Sequence, residues 1–298
     1  MRYSLAFIAA LTATVQAHGV ITEIQGANGV NMPGLSVTDG TPRDCATPGC
    51  GSEADTSIIR TGEMGGRASA LGRTANGPVD AAAAVAMFMG GGGAATGASA
   101  AGGAAKSAKG TKNAQRGLLD ALTGGAGGKG KAGGAGAGAK TPKGTAESGV
   151  ASSAGTGASS GLPTCADDGT ITMTFHQVNQ DGAGPLTAAI DPTSGGTDPA
   201  AFSDAQVSQN VPGLGIGGLS GATTTDFPVK VQMPAGMTCQ GTVGGVSGVC
   251  VVRMQNSALA GPFGGSAAFT QSAGAKKRAV EFNLRKKRFA RGMLGQAE

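Results

Sequence analysis

Two histidines are the residues best suited to chemistry in this chain, and it has no others, His18 and His176. The first follows MRYSLAFIAALTATVQA, in which Arg2 precedes an apolar run from Leu5 to Val15 and Val15 and Ala17 occupy the small positions a signal peptidase reads. That pattern is a secretory signal over residues 1–17, too short to span a bilayer. Cleavage after Ala17 makes His18 the new N-terminus, with an α-amine and a ring Nδ1 able to chelate one metal. His176, in TITMTFHQVNQDGAGP, adds a third nitrogen. A T-shaped set of three nitrogens suits the tetragonal preference of Cu(II), so copper is the expected cofactor. An incidental residue after a cleavage point and an ordinary strand histidine account for the same two positions.

The elements that must position these histidines are strands. His18–Gln25 alternates Val20, Thr22 and Ile24 against Ile21, Glu23 and Gln25, the period of a strand. Residues 170–178 alternate again, with Ile171, Met173 and Phe175 on one side and Thr172, Thr174 and His176 on the polar side. Further strands are expected at 57–61, 227–233, 249–255 and 263–271, with loop and short elements near 204–207 across 179–221. Short strands, many turn signals and almost no helical period argue for an all-β fold, an antiparallel β-sandwich of immunoglobulin or fibronectin type.

The composition divides the chain. Residues 18–80 and 161–275 form the two parts of the sandwich and carry 6 basic against 14 acidic residues. Between them, 81–160 is Gly- and Ala-rich, with 8 basic and 2 acidic residues. Runs such as GGGGAATGASAAGGAA cannot bury enough apolar surface to offset chain entropy, so a disordered insertion is expected, with brief helices at AAAAVAMFMG and QRGLLDALTG. Residues 276–298 are a basic tail containing Lys277–Arg278 and Lys287–Arg288. The overall pI of about 9.1 therefore reflects appendages on an acidic body and is no argument for nucleic acid as a partner.

Secretion makes disulfides the default use of cysteine. Cys239 and Cys250 flank a glycine-rich turn between two expected strands, and Cys45–Cys50 can close a tight loop, leaving Cys165 odd. Connectivity is not fixed by spacing alone. There is no CxxC metal motif for a structural zinc, no apolar span for a membrane, and no nucleophile elbow for a hydrolase.

HGVI at the mature start, DCATPGC followed by DTSIIR, HQVNQDGAGP, and CVVRMQNSALAGPFGG together resemble the secreted appressorium-expressed virulence proteins of the Egh/Gas/Mas type from pathogenic fungi. The resemblance spans most of 18–80 and 161–272. It implies secretion, a place at the cell wall or outside the cell, and a role in host penetration, without a settled activity. Relatives of that type carry cysteine where Met254 and Ser266 stand here, which implies a bridge between those two positions that this chain has lost. More distantly, the chain is similar to lytic polysaccharide monooxygenases, secreted β-sandwiches whose N-terminal histidine and a second histidine hold copper in a brace. That likeness puts Phe263 at the axial, non-ligating position and Arg253 and Gln255 as tentative catalytic groups around an oxygen species. Phe263 as a core aromatic and Gln255 as an exposed strand residue are the plainer alternatives.

The expected function is oxidative attack on a cell-wall polysaccharide by a secreted monomer. The alternative is a non-catalytic effector, adhesion or copper-binding protein at the cell or host surface. The mature chain has no Trp, and its only Tyr, Tyr3, leaves with the signal, so flat stacking on crystalline chitin or cellulose is poorly supported.

Overall fold

The computed structural model describes residues 18–91, 137–215 and 217–294. The expected signal over 1–17 and the middle of the Gly/Ala-rich stretch, 92–136, lie outside them.

Thirteen strands, antiparallel throughout, form the body among the described residues. The first layer contains β1 (Gly19–Gln25), β2 (Asn31–Pro33), β7 (Thr170–Gln177), β10 (Thr225–Gln232) and β9 (Ser203–Gln209). The second contains β8 (Thr187–Asp191), β12 (Val246–Gln255), β13 (Phe263–Thr270), and the short β3 (Ser57–Ile58), β4 (Arg73–Thr74) and β5 (Gly77–Pro78). Off this path, β6 (Ala139–Lys140) joins β10 and β11 (Gly241–Val243) joins β12. The all-β expectation holds. The immunoglobulin or fibronectin plan does not describe it, because β9 pairs with both β10 and β8 and links the layers into one curled, half-barrel sheet.

Side-chain alternation explains the closure. Ile21, Ile24, Met173, Phe175, Val229 and Val231 face inward, against Met254, Ala267 and Phe269 of the second layer. A bulge between Ile21 and Glu23 in the β1–β7 pairing lets both Ile21 and Ile24 reach this core, although three residues apart. At Gly265 of β13 a Cβ would lie 2.6 Å from the Ile21 nitrogen, so only glycine lets the two layers approach so closely there.

Both described ends of the Gly/Ala-rich stretch are part of the body. Helix α1 (Ala81–Phe88) starts at Asp80, whose carboxylate accepts from Ala83 N–H, and buries Val85 and Phe88 in the main core. Each of these side chains contributes about 1.5–3 kcal/mol by leaving water. On the return, β6 pairs with β10, α2 (Gly149–Ser153) packs on β2, and α3 (Gly157–Ser160) sits against Phe88 and Met89 at the end of α1. Arg43 anchors them. Its guanidinium makes a bidentate pair with Asp55 and reaches across to Glu147, with Nε and Nη2 donating to Oε2 at 3.1 and 2.9 Å. Burial alone would weaken the Arg43 cation, but Asp55 and then Glu147 more than offset it and hold its pKa above the ordinary value.

The expected basic tail from 276 onward is helical among the described residues. It continues α4 (Ala273–Leu294), which docks through Ala275 and Ala279, four residues apart and therefore on one face. Asn283 secures it by donating to the Gly236 carbonyl at 2.9 Å.

Candidate metal centre

His18 stands at the start of β1, tied down on every side. Gly19 has no side chain for a reason: a Cβ there would sit 2.3 Å from the Phe175 ring. The absence brings the His18 backbone hard against β7, where Val178 N–H donates to the His18 carbonyl at 3.0 Å. The His18 main-chain nitrogen donates to Asn179 Oδ1 at 2.8 Å, and its Nδ1 lies 3.3 Å from Asn179 Nδ2. Both chelating atoms of this residue therefore converge on one point, held here by the Asn179 amide. Glu53 Oε1 is 3.0 Å from the same Nδ1.

Two carboxyls flank this point. Burial, and then the neighbouring Asp181, push the Glu53 carboxyl above the usual range, and burial does the same to Asp181. The Phe263 ring lies against the His18 ring, centroids 4.8 Å apart and tilted 45°. Phe263 is itself fixed by Asn256, whose Oδ1 accepts from Phe263 N–H at 3.0 Å and from Ala258 N–H at 3.2 Å.

His176 pairs with Val20 across the ladder, and the His18–Val178 contact adds two further rungs. His18 is thus one diagonal step from His176, a separation of roughly 7–8 Å between backbone positions. Gly19 between them faces Phe175 and the core, and the His18 ring packs on Phe263, which lies on the core side of β13. The His176 Nδ1 is held by Asp226 Oδ1 at 2.7 Å, while its Nε2 is buried without a hydrogen-bond partner. The polar strand face was legible in the sequence; its burial was not. His176 is 0% exposed.

The remaining expected residues go elsewhere. Arg253 donates to the Ala70 carbonyl and stacks 4.3 Å over the Phe202 ring. It shares a face of β12 with Gln255, the face opposite Met254, whereas Phe263 lies on the Met254 side. Neither Arg253 nor Gln255 touches the His18 cluster, so their assignment around an oxygen species has no support in the geometry. Gln255 Oε1 is buried without a partner.

The two disulfides expected from spacing are present, Cys45–Cys50 and Cys239–Cys250, with Cys165 free and buried. The implied bridge between positions 254 and 266 meets a geometric obstacle. Met254 pairs with Gly265 and faces the core, while Ser266 pairs with Arg253 on the other face.

Glu53, Asn179, Asp181 and Asp226 were not singled out beforehand. Asn179 and Asp181 sit inside HQVNQDG, three and five residues after His176, and that proximity was a usable signal. Asp226 reaches His176 as its direct cross-strand partner on β10, and Glu53 reaches His18 from the turn before β3. Among the described residues no three His, Cys, Asp or Glu side chains group to hold a metal ion. A brace of two imidazoles and one main-chain nitrogen is a different donor set, and the buried, unpaired Nε2 of His176 with a carboxylate behind it fits that set.

No solved structure matches this chain. Among curated proteins it is 56% identical, over its full length and 99% of the relative, to the appressoria-specific virulence factor GAS2 of Pyricularia oryzae. A second relative from the same fungus, the appressoria-specific virulence factor GAS1, is 42% identical over 104 residues, covering 35% of this chain and 40% of its own length. The family model described as Egh16-like virulence factor matches residues 16–264, nearly the whole β body together with the stretch inside it. The chain belongs to the Egh16-like virulence factor family.

Proposed function

We propose that this chain is a secreted fungal virulence protein whose mature form begins at His18 and binds copper through a histidine brace. The observation that carries the reading is the buried Nε2 of His176, which has no hydrogen-bond partner, on the strand paired with the start of β1 beside His18. His18 contributes its freed main-chain nitrogen and Nδ1, which already converge. Asp226 holds the His176 tautomer with Nδ1 protonated, leaving Nε2 as the donor atom. Phe263 closes one side of the site with an apolar ring. Glu53 and Asn179 are the side chains that must yield their contacts with His18 when the metal enters.

Copper bound in this way supplies one-electron chemistry for oxidising a C–H bond, with external reductant and with oxygen or peroxide as oxidant. The proposed substrate is a polysaccharide of the fungal or host cell wall. Incubation of the copper-loaded protein with ascorbate and peroxide on a polysaccharide panel tests this by mass spectrometry of released products. Oxidised oligosaccharides that disappear in His18→Ala support catalysis. Tight copper binding without any oxidised product favours a second reading, a non-catalytic copper-binding effector or adhesion protein. The lack of Trp and Tyr for flat sugar stacking in the mature chain favours that second reading.

A further inference from the structure

The two paired basic sites of α4 differ in how they sit on the body. Lys277–Arg278 lies in the docked half of the helix, between Ala275 and Ala279, which are buried at 5% and 6% exposure. Ser272 caps this half, its Oγ accepting from Ala275 N–H at 3.1 Å and its carbonyl from Lys276 N–H at 3.0 Å. One turn further on, Phe282 packs over Gly236, where an added Cβ would come within 2.7 Å of its ring, and Asn283 donates to the Gly236 carbonyl.

Lys287–Arg288 lies past all of these contacts, in the run Arg285-Lys286-Lys287-Arg288-Phe289. All five side chains are exposed, Phe289 to 70%. Among the described residues, Asn283 makes the last side-chain hydrogen bond from α4 to the body. The helix is also weak here in its own right. Arg285 and Arg288 stand three residues apart, a spacing at which like charges repel along one face, and Gly292 in the final turn is a poor helix former. This end therefore opens locally while the body stays folded.

We infer that a serine endoprotease specific for paired basic residues cuts this chain after Arg288 and spares Arg278. Such an enzyme selects basic side chains by charge complementarity and takes its substrate in extended form, so the bond it cuts must first leave the helix. Water adds across the Arg288–Phe289 amide, giving a carboxylate at Arg288 and a free amine at Phe289, and residues 289–298 are released. Opening the chain around Arg288 breaks only hydrogen bonds of the helix itself. Opening it around Arg278 also gives up two buried methyl groups and the Asn283 hydrogen bond, which lowers the open population there by about tenfold or more. The inference rests on secretion, which brings the chain past such enzymes, and not on the copper site.

The test is digestion of the native protein, from His18 onward, with a purified endoprotease of this class, followed by intact-mass spectrometry. The expected first product is the body ending at Arg288, with cutting after Arg278 about tenfold slower or more and an unchanged melting temperature in the clipped protein. Arg288→Ala abolishes that product, and Arg278→Ala leaves its rate as in the wild type. In parallel, the protein is collected from the medium of a fungal strain with this protease and of one lacking it; residues 289–298 are missing only from the first. A first cut after Arg278, an equal rate in Arg288→Ala, or a chain ending at Glu298 from both strains overturns the inference.

Discussion

Replacing Arg43 by Met removes the one cation that ties the returning segment to the first part of the chain. Arg43 is 4% exposed and Asp55 is 0% exposed, so the substitution leaves a carboxylate buried without its counter-charge. Asp55 would retain only the Thr38 N–H donation at 3.2 Å. Breaking a buried pair from one side costs about 3–5 kcal/mol, whereas replacing both members by apolar residues is often neutral. For a domain of this size that loss lowers the melting temperature by roughly 6–20 °C. The assay is thermal and urea unfolding of Arg43→Met, of Asp55→Leu, and of the double variant. The double variant is expected to recover most of the loss, because no buried charge remains except Glu147, which is part-exposed. A loss below about 1 kcal/mol in Arg43→Met, or a double variant as unstable as the sum of the singles, would refute the reasoning.

Three other outcomes follow from the same contacts. Replacing residues 92–136 by a flexible linker is expected to cost little stability, while deleting 81–160 removes Val85, Phe88 and the Arg43–Glu147 tie and is expected to unfold the body; circular dichroism melting of both distinguishes them. Burial would raise the Asp191 carboxyl, but the Ser194 hydroxyl and the Thr193, Gly196 and Ser194 N–H groups outweigh it and hold its pKa low, so its stabilisation is present above about pH 4 and is lost as pH falls through the folded value. Asp191→Asn should flatten that acid limb of a stability-versus-pH curve. Burial pushes the Cys165 thiol up, so a thiol reagent should label the native protein only at the rate of unfolding.

How much of this was readable in the sequence depends on which forces wrote each element. β7 and β10 carry large apolar side chains at every second position over most of their length and are plain from alternation, while β13 has only Phe263 and Phe269 at its ends and β1 is broken by its bulge. β8 reads TAAID, where small alanines give almost no contrast between faces, although Ala188 and Ile190 are buried. β9 spans the curl between layers and turns only Ala205 and Val207 to the core, both partly buried, so its alternation is weak. The basic charge of 276–298 masked α4, whose buried contacts among the described side chains are the small Ala275 and Ala279.

Phe263 was singled out from a resemblance as an axial group over a metal, and its ring lies against that of His18. The partners Glu53 and Asp226 were not, since they lie 35 and 50 residues from the histidines they touch. The order of the return arm was missed for a different reason. Low-complexity composition was read as disorder along all of 81–160, but residues 139–151 are held from another part of the chain, with Arg43 on Glu147, Asp39 accepting from Val150 and Ala151 N–H, and Asp44 accepting from Gly144 N–H.

The central claim is that copper is held by the His18 nitrogens together with His176. Its most direct measurement is Cu(II) affinity by calorimetry, with electron paramagnetic resonance spectra, on protein beginning at His18 and on the same protein carrying one extra residue before it. The extra residue turns the amine into an amide without touching any side chain. The account predicts tight binding with a three-nitrogen signature only for the first protein, weakening as acid protonates the amine and the imidazoles. It also predicts loss of the third nitrogen in His176→Ala, compared at matched metal-free melting temperature. Equal affinity with and without the extra residue, or an unchanged spectrum in His176→Ala, would contradict it.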